Sequence, residues 1–171
     1  EGGQRTARAN MRVAAATAVV GVGVTRSALL TLELRGERAQ GSTTIAPTDT
    51  SQAQWLGSVA AVIRRDSYDR PDVPREGVWL YARSEVGISS VSPQGSFVSH
   101  VVTGRRLVPL NDRLAVDLSF FAGLGLGSDL PFYRHFFVGG VHPSAVFPET
   151  QPAFFGLRNQ EVGGSAAQGL R

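Results

Sequence analysis

Between Arg113 and Ser128 the chain alternates with a period of two, and this run constrains the fold more than any other feature. Leu114, Val116, Leu118, Phe120, Ala122, Leu124 and Leu126 are all apolar. The positions between them are Arg113, Ala115, Asp117, Ser119, Phe121, Gly123, Gly125 and Gly127. Successive side chains of a β-strand point to opposite faces, so this segment is a strand with one apolar face and one face of polar or small residues. A helix would scatter the same residues around its surface.

The pattern recurs. In Ala28–Glu37, Ala28, Leu30, Leu32 and Leu34 oppose Thr31, Glu33, Arg35 and Glu37; in Val78–Ser89, Val78, Leu80, Ala82, Val86 and Ile88 oppose Trp79, Tyr81, Arg83, Glu85 and Gly87. Val13–Val24, Gln54–Arg64, Phe97–Arg106 and Phe155–Leu170 alternate less cleanly, yet they lack Pro and carry Val, Ile, Phe or Gly. Turn chemistry separates these segments at Gly36–Asp49, Asp66–Gly77, Ser89–Gly95, Leu107–Asp112 and Asp129–Pro152. No period of 3.6 persists anywhere. The expected fold is all-β, an antiparallel meander of about seven strands.

Strand length and the composition of the polar face decide what surrounds such a meander. The segments run to about 10–14 residues, against about 9–11 for a tilted membrane-crossing strand and about 5–6 for a soluble one. Compact charged turns alternating with longer loops follow the outer-membrane barrel pattern. The polar face mixes Glu33, Arg35, Arg83, Glu85 and Asp117 with Gly and aromatics, which suits the wall of a barrel lumen. Trp55, Trp79, Tyr81 and Tyr133 near the strand ends are expected to form an interfacial girdle. The soluble alternative is a β-sandwich, which alternates too but buries its apolar face against a second sheet.

Composition narrows the function classes. The 171 residues contain no Cys, which excludes disulfide scaffolds, Cys-ligated zinc and thiol nucleophiles. Charged residues are only 18% of the chain, and all 17 basic residues are Arg, spread from Arg5 to Arg171 among 14 Asp and Glu. A nucleic-acid binder would cluster them on one face, so no nucleic-acid partner is expected. The longest apolar run, Val13–Val24, is too short for a membrane-spanning helix. It follows Arg5, Arg8 and Arg12 as a signal peptide's core would, but it lacks a small-residue exit, and a strand fits better.

Catalytic chemistry is missing from the residues. No G-x-S-x-G elbow occurs, and Ser165 in Gly163-Gly164-Ser165-Ala166-Ala167 lacks the closing Gly. Gly123–Ser128 (GLGLGS) has neither the Lys nor the helix of a phosphate loop. His100, His135 and His142 show no metal-ligand spacing. The segment is therefore expected to be no enzyme, with no cofactor and no metal.

Two stretches between strands carry the remaining information. In Arg65–Gly77 (RDSYDRPDVPREG), Pro71 and Pro74 cannot donate a ladder hydrogen bond, and Gly77 permits the positive φ that re-enters a strand. Asp66 and Asp69 are placed to accept backbone N–H groups and to pair with Arg70 or Arg75. The second stretch is Leu130–Gly140 (LPFYRHFFVGG), followed by HPSAVFPETQPAFFGLRNQE. Phe132, Phe136, Phe137, Phe147, Phe154 and Phe155 crowd this loop, so it should tuck into a lumen or pack on itself.

The order and spacing of Arg65–Gly77, Val108–Asp112 and Leu130–Gly140 resemble the C-terminal barrel of the bacterial surface-antigen superfamily, from roughly Val59 to Arg171. That superfamily includes barrel-assembly proteins, two-partner secretion transporters and outer-membrane patatin-like phospholipases. In its transporters the long loop folds into the lumen, with an Arg-Gly-aromatic tip against acidic residues of the wall. Here the nearest match is Phe155-Gly156-Leu157-Arg158, later and in another order, and this wording looks more like the patatin-like branch. The resemblance implies a lumen loop 129–154 with motif residues Phe136, Phe137, Gly139, Gly140, Phe155, Gly156 and Arg158. It also implies a periplasmic turn of Asp66, Asp69, Pro71, Pro74 and Gly77.

The expectation that follows is a segment of a transmembrane β-barrel in a bacterial outer membrane, residues 1–171 forming one piece of it. Seven strands cannot close, since single-chain barrels have at least about eight, so the barrel is expected to be incomplete and the segment part of a longer protein. Its partners would be outer-membrane lipid, the remainder of its own barrel and an upstream domain. Its role would be to anchor or translocate an attached patatin-like lipid hydrolase. The alternatives are the barrel of an assembly or secretion transporter and a soluble β-sandwich protein.

Overall fold

The computed structural model describes residues 9–43, 54–88, 96–127, 136–138, 162–164 and 166–170. Six long strands follow one another in the chain: β1 (Ala9–Thr25), β2 (Ala28–Thr43), β3 (Gln54–Asp66), β4 (Gly77–Gly87), β5 (Val98–Pro109) and β6 (Ala115–Leu126). Three short ones follow: β7 (Phe136–Val138), β8 (Val162–Gly164) and β9 (Ala166–Leu170). Each long strand pairs antiparallel with the next, and β9 pairs with β6. The sheet order is thus β1-β2-β3-β4-β5-β6-β9, with β7 and β8 forming a separate two-stranded ladder. Among the described residues β1 and β9 each have one strand neighbour and the sheet is open. The all-β antiparallel meander expected from the alternation is present.

Strand ends depart from the sequence expectation where charge or Pro had suggested a turn. β2 continues past Glu37 to Thr43, because the alternation survives the Arg: Glu37 and Ala39 are buried while Arg38 and Gln40 are exposed. Leu107 and Val108 belong to β5, which ends at Pro109. That end is where a residue without a backbone N–H is tolerated in a sheet. β4 stops at Gly87, short of Ser89.

The connections at one end of the sheet are Arg26–Ser27, residues 67–76 and residues 110–114. In the middle one, the Asp69 carboxylate accepts the N–H groups of Arg75 (2.9 Å) and Glu76 (3.2 Å), and the Asp66 carboxylate accepts the N–H of Tyr68 (3.1 Å). Those backbone bonds, from Arg75 first and Glu76 second, hold the Asp69 carboxyl below the usual carboxylate range. Gly77 closes the turn at φ +122°; a Cβ there would stand 2.5 Å from the Ser67 carbonyl oxygen, so only Gly fits. The Arg75 guanidinium donates to the Asn111 carbonyl at 2.8 Å, tying this turn to the next. Arg70, not Arg75, is the side chain that reaches the Asp69 carboxylate, at 3.6 Å.

Candidate functional site

Register sorts the side chains of the sheet into two faces. On one lie Leu30, Leu32 and Leu34 of β2, Val59, Ala61 and Ile63 of β3, Val86 of β4 and Leu118, Phe120 and Leu124 of β6. Many of them are open, Leu32 being 57% exposed and Leu34 56%, as is Val20 of β1, paired with Leu32, at 75%. On the other face Glu33, Glu37, Arg83 and Glu85 are all buried, Glu37 to 1%. Buried Ala39, Leu56, Ala60, Val62, Val101 and Leu107 share that face, so its interior is a mixture of charge and small apolar groups. A water-soluble sheet does the reverse, since burying charge is costly and burying Leu is favourable. No second sheet covers the Leu face among the described residues, as a β-sandwich would require.

The charged face is organised as a network. Glu33 of β2 and Glu85 of β4 both stand opposite Ala60 of β3, and Arg83 binds the two carboxylates. Its Nη1 donates to Glu33 Oε2 and its Nε to Glu85 Oε2 at 3.3 Å. Ser58 donates to the other Glu85 oxygen at 2.5 Å, and Arg64 stands 3.8 Å from Glu33. The small side chain of Ala60 leaves room for the Arg83–Glu33 bridge to cross β3. Arg35 pairs with Glu37 at 3.0 Å along β2. Nearer the turns, Arg105 grips Asp117 with both Nε and Nη2, at 2.6–2.9 Å. Tyr68 reaches back from the 67–76 turn to this pair, and its phenol is pushed up chiefly by burial.

The five wall residues Glu33, Arg35, Arg83, Glu85 and Asp117 therefore share one face, and among the described residues Glu33, Arg83 and Glu85 form one cluster. Trp79 and Tyr81 correct the girdle expectation. They stack on each other at 6.5 Å on the charged face, with the Arg64 guanidinium 5.7 Å over Tyr81, because their positions have the parity of Arg83 and Glu85. Trp55 is on the Leu face and 57% exposed. Of the loop motif, Phe136 is fully buried on the charged face, its ring edge-on to Phe121 at 6.1 Å and over Gly123. Phe137 is in β7, paired with Gly163. Gly139, Gly140, Phe155, Gly156 and Arg158 lie outside the described residues, as do Tyr133 and all of loop 129–154 except 136–138.

An inverted sheet with charge inside and Leu outside is what a barrel in lipid presents, and the comparisons with known families give it a name. Residues 6–148 match the Omp85 superfamily domain. The chain belongs to the Omp85 superfamily. No curated protein matches it. Omp85 proteins are bacterial outer-membrane β-barrel proteins of the surface-antigen family, and their domains are typically non-enzymatic transporters and assembly factors. Membership accounts for the strand lengths and the inversion together.

Ser58, Arg64, Glu37, Arg105 and Tyr68 add polar contacts on the charged face of the Omp85 sheet and were not among the site residues expected from the sequence. Parity marks Glu37 and Ser58, whereas Arg64-Arg65 and Arg105-Arg106 are adjacent pairs in which either Arg could take either face. No three His, Asp or Glu side chains converge as metal ligands among the described residues.

Proposed function

We propose that the chain is part of the wall of a bacterial outer-membrane barrel, its Leu face toward lipid and its charged face toward the lumen. The observation that carries this reading is the inversion: Leu32 and Leu34 open, Glu33 and Glu37 buried beside them. Dimensions support it. From Trp55 to Arg65, about ten residues, a strand rises about 33 Å. At a tilt of about 35–45° that spans the apolar band about 25 Å tall of an outer-membrane barrel. Glu33, Arg35, Arg83, Glu85 and Asp117 are then lumen wall, Asp66, Asp69, Pro71, Pro74 and Gly77 the periplasmic turn, and Phe136 the first anchor of a loop folded into the lumen. Outer-membrane lipid, the rest of the barrel and an upstream domain are its partners.

Within the superfamily, the barrel anchors or translocates an attached patatin-like lipid hydrolase. The support is the sequence likeness around Phe155-Gly156-Leu157-Arg158 and the absence of an Arg-Gly-aromatic order there. The second reading, a secretion or assembly transporter, is favoured by the superfamily's usual role and by the burial of Phe136 on the wall, as a lumen-filling loop would have it. Fractionation of cells expressing the full-length protein tests the barrel. The protein is expected in the outer membrane and should migrate faster on gels before boiling than after. Recovery in the soluble fraction would overturn the barrel reading. Phospholipid hydrolysis by the purified full-length protein would select the hydrolase carrier. Export of a β-rich substrate without hydrolysis would select the transporter.

A further inference from the structure

Charge is segregated between the two faces of the sheet more completely than a lipid contact requires. Every carboxylate of the described strands (Glu33, Glu37, Asp66, Glu85 and Asp117) has the parity of the charged face. The Leu face carries Arg12, Arg38, Arg65 and Arg106, all exposed, with no carboxylate beside them. These arginines sit toward the strand ends. Arg65 and Arg106 are at the end that holds the 67–76 turn, and Arg12 and Arg38 are at the opposite end, beyond Leu34.

The Arg12–Arg38 end has the makings of a site. Arg12 of β1 is in register with Gln40, and Arg38 with Ala14 on one side and Trp55 on the other. Arg12 and Arg38 are thus diagonal neighbours across one ladder, about 7–8 Å apart at the backbone. The Arg38 guanidinium lies 5.7 Å over the Trp55 ring. Neither Arg12 nor Arg38 meets a carboxylate among the described residues, in contrast to Arg35, Arg83 and Arg105 on the other face. Two guanidiniums without a carboxylate among the described residues, at the border of an apolar band and beside an interfacial Trp, match an anion that is itself fixed at the membrane surface.

We infer that Arg12, Arg38 and Trp55 form a binding site for the phosphate of an anionic membrane lipid headgroup. The Trp55 ring fixes the depth of the site and orients the Arg38 fork, and Arg12 supplies a second set of donors. The inference rests on the barrel reading above, because it places this border at a bilayer surface.

Trp55 itself reports the site. In the full-length protein with every other tryptophan replaced by Phe, reconstituted in phosphatidylcholine, Trp55 fluorescence is titrated with brominated phosphatidylcholine and with brominated phosphatidylglycerol. Quenching is expected from both, with the anionic lipid preferred about thirtyfold, the weight of two Arg near an anionic surface. Arg12→Gln with Arg38→Gln should bring that preference to about one, leaving quenching by phosphatidylcholine intact, whereas Arg65→Gln at the far border should leave the preference unchanged. Equal quenching by the two lipids in the unmodified sheet would overturn the site while leaving the barrel standing. So would an equal loss with Arg65→Gln, since the preference would then be general electrostatics. No quenching by either lipid would overturn the barrel reading and the site with it.

Discussion

Arg83 of β4 reaches across β3 to the carboxylate of Glu33 on β2, while the same side chain holds Glu85 on its own strand. One cation therefore joins β2 to β4 across β3, through two acids that would otherwise repel. All three side chains are nearly closed to solvent, so the bridge is worth far more when broken than when formed. Removing one partner of a buried set leaves uncompensated charge, which costs about 3–5 kcal/mol. Arg83→Met is expected to lower the stability of the folded protein by about that amount in urea titrations monitored by gel mobility. Adding Glu33→Gln and Glu85→Gln should recover most of the loss, and failure to recover would mean that packing of the Arg83 stem, not charge, was lost.

The open Leu face predicts depth-dependent sensitivity. Leu32→Arg places a cation in the middle of the apolar band and is expected to cost about 2–4 kcal/mol in a bilayer. Gln40→Arg, beyond Arg38 near the border, should cost no more than about 1 kcal/mol. Refolding titrations into vesicles compare the two, and equal costs would contradict a lipid-facing Leu32.

Gly77 is required by its backbone. At φ +122°, with the Ser67 carbonyl 2.5 Å from where a Cβ would stand, Gly77→Ala must move main chain. A cost of about 2 kcal/mol or more is expected, larger than that of Gly→Ala where φ is negative. Thermal unfolding of the variant checks it.

Asp69 gives the same turn a pH dependence. Its carboxyl is held low in the folded protein by the N–H groups of Arg75 and Glu76. A group whose folded pKa is depressed contributes stability above its unfolded pKa and loses it as pH falls through the folded value. The turn should therefore keep this contribution down to about pH 4 and lose it below. Asp69→Asn should flatten the unfolding midpoint in that acid range and leave the neutral range's slope unchanged.

Phe136 and Gly123 form a ball-and-notch contact, the ring filling space that a Cβ at Gly123 would enter at 2.6 Å. Gly123→Val should displace the ring and speed hydrogen exchange of the Phe136–Val138 amides, with little change in β5. Unchanged exchange would mean that β7 is held by its ladder with β8 alone.

How much of this was legible in the sequence follows from parity. In Ala28–Glu37 and Arg113–Ser128 the alternation named both faces correctly and placed Glu33, Arg35 and Asp117 together with Arg83 and Glu85. It erred at strand ends, where Arg38 and Pro109 looked like turn residues but continued the ladder. The girdle expectation erred for Trp79 and Tyr81, whose amphipathic character suggested an interface although the alternation itself set them with Arg83. The Arg64-Arg65 and Arg105-Arg106 pairs were beyond the alternation, because adjacent identical residues carry no sign of which one points inward.

By itself the sequence determined that this chain is a meander of two-faced strands and which side chains share a face, since that follows from the geometry of extended backbone alone. It did not determine which face is inside. Alternation is symmetric between the two, and only the assembled sheet shows Leu32 open and Glu37 closed. Nor did it fix partners. Arg83 meets Glu33, fifty residues away, because strand register sets Glu33 opposite Ala60 and Arg83 opposite Val62, neighbouring positions of β3 on the same face. Register is a relation between strands, set when the sheet assembles, and no single strand's pattern contains it.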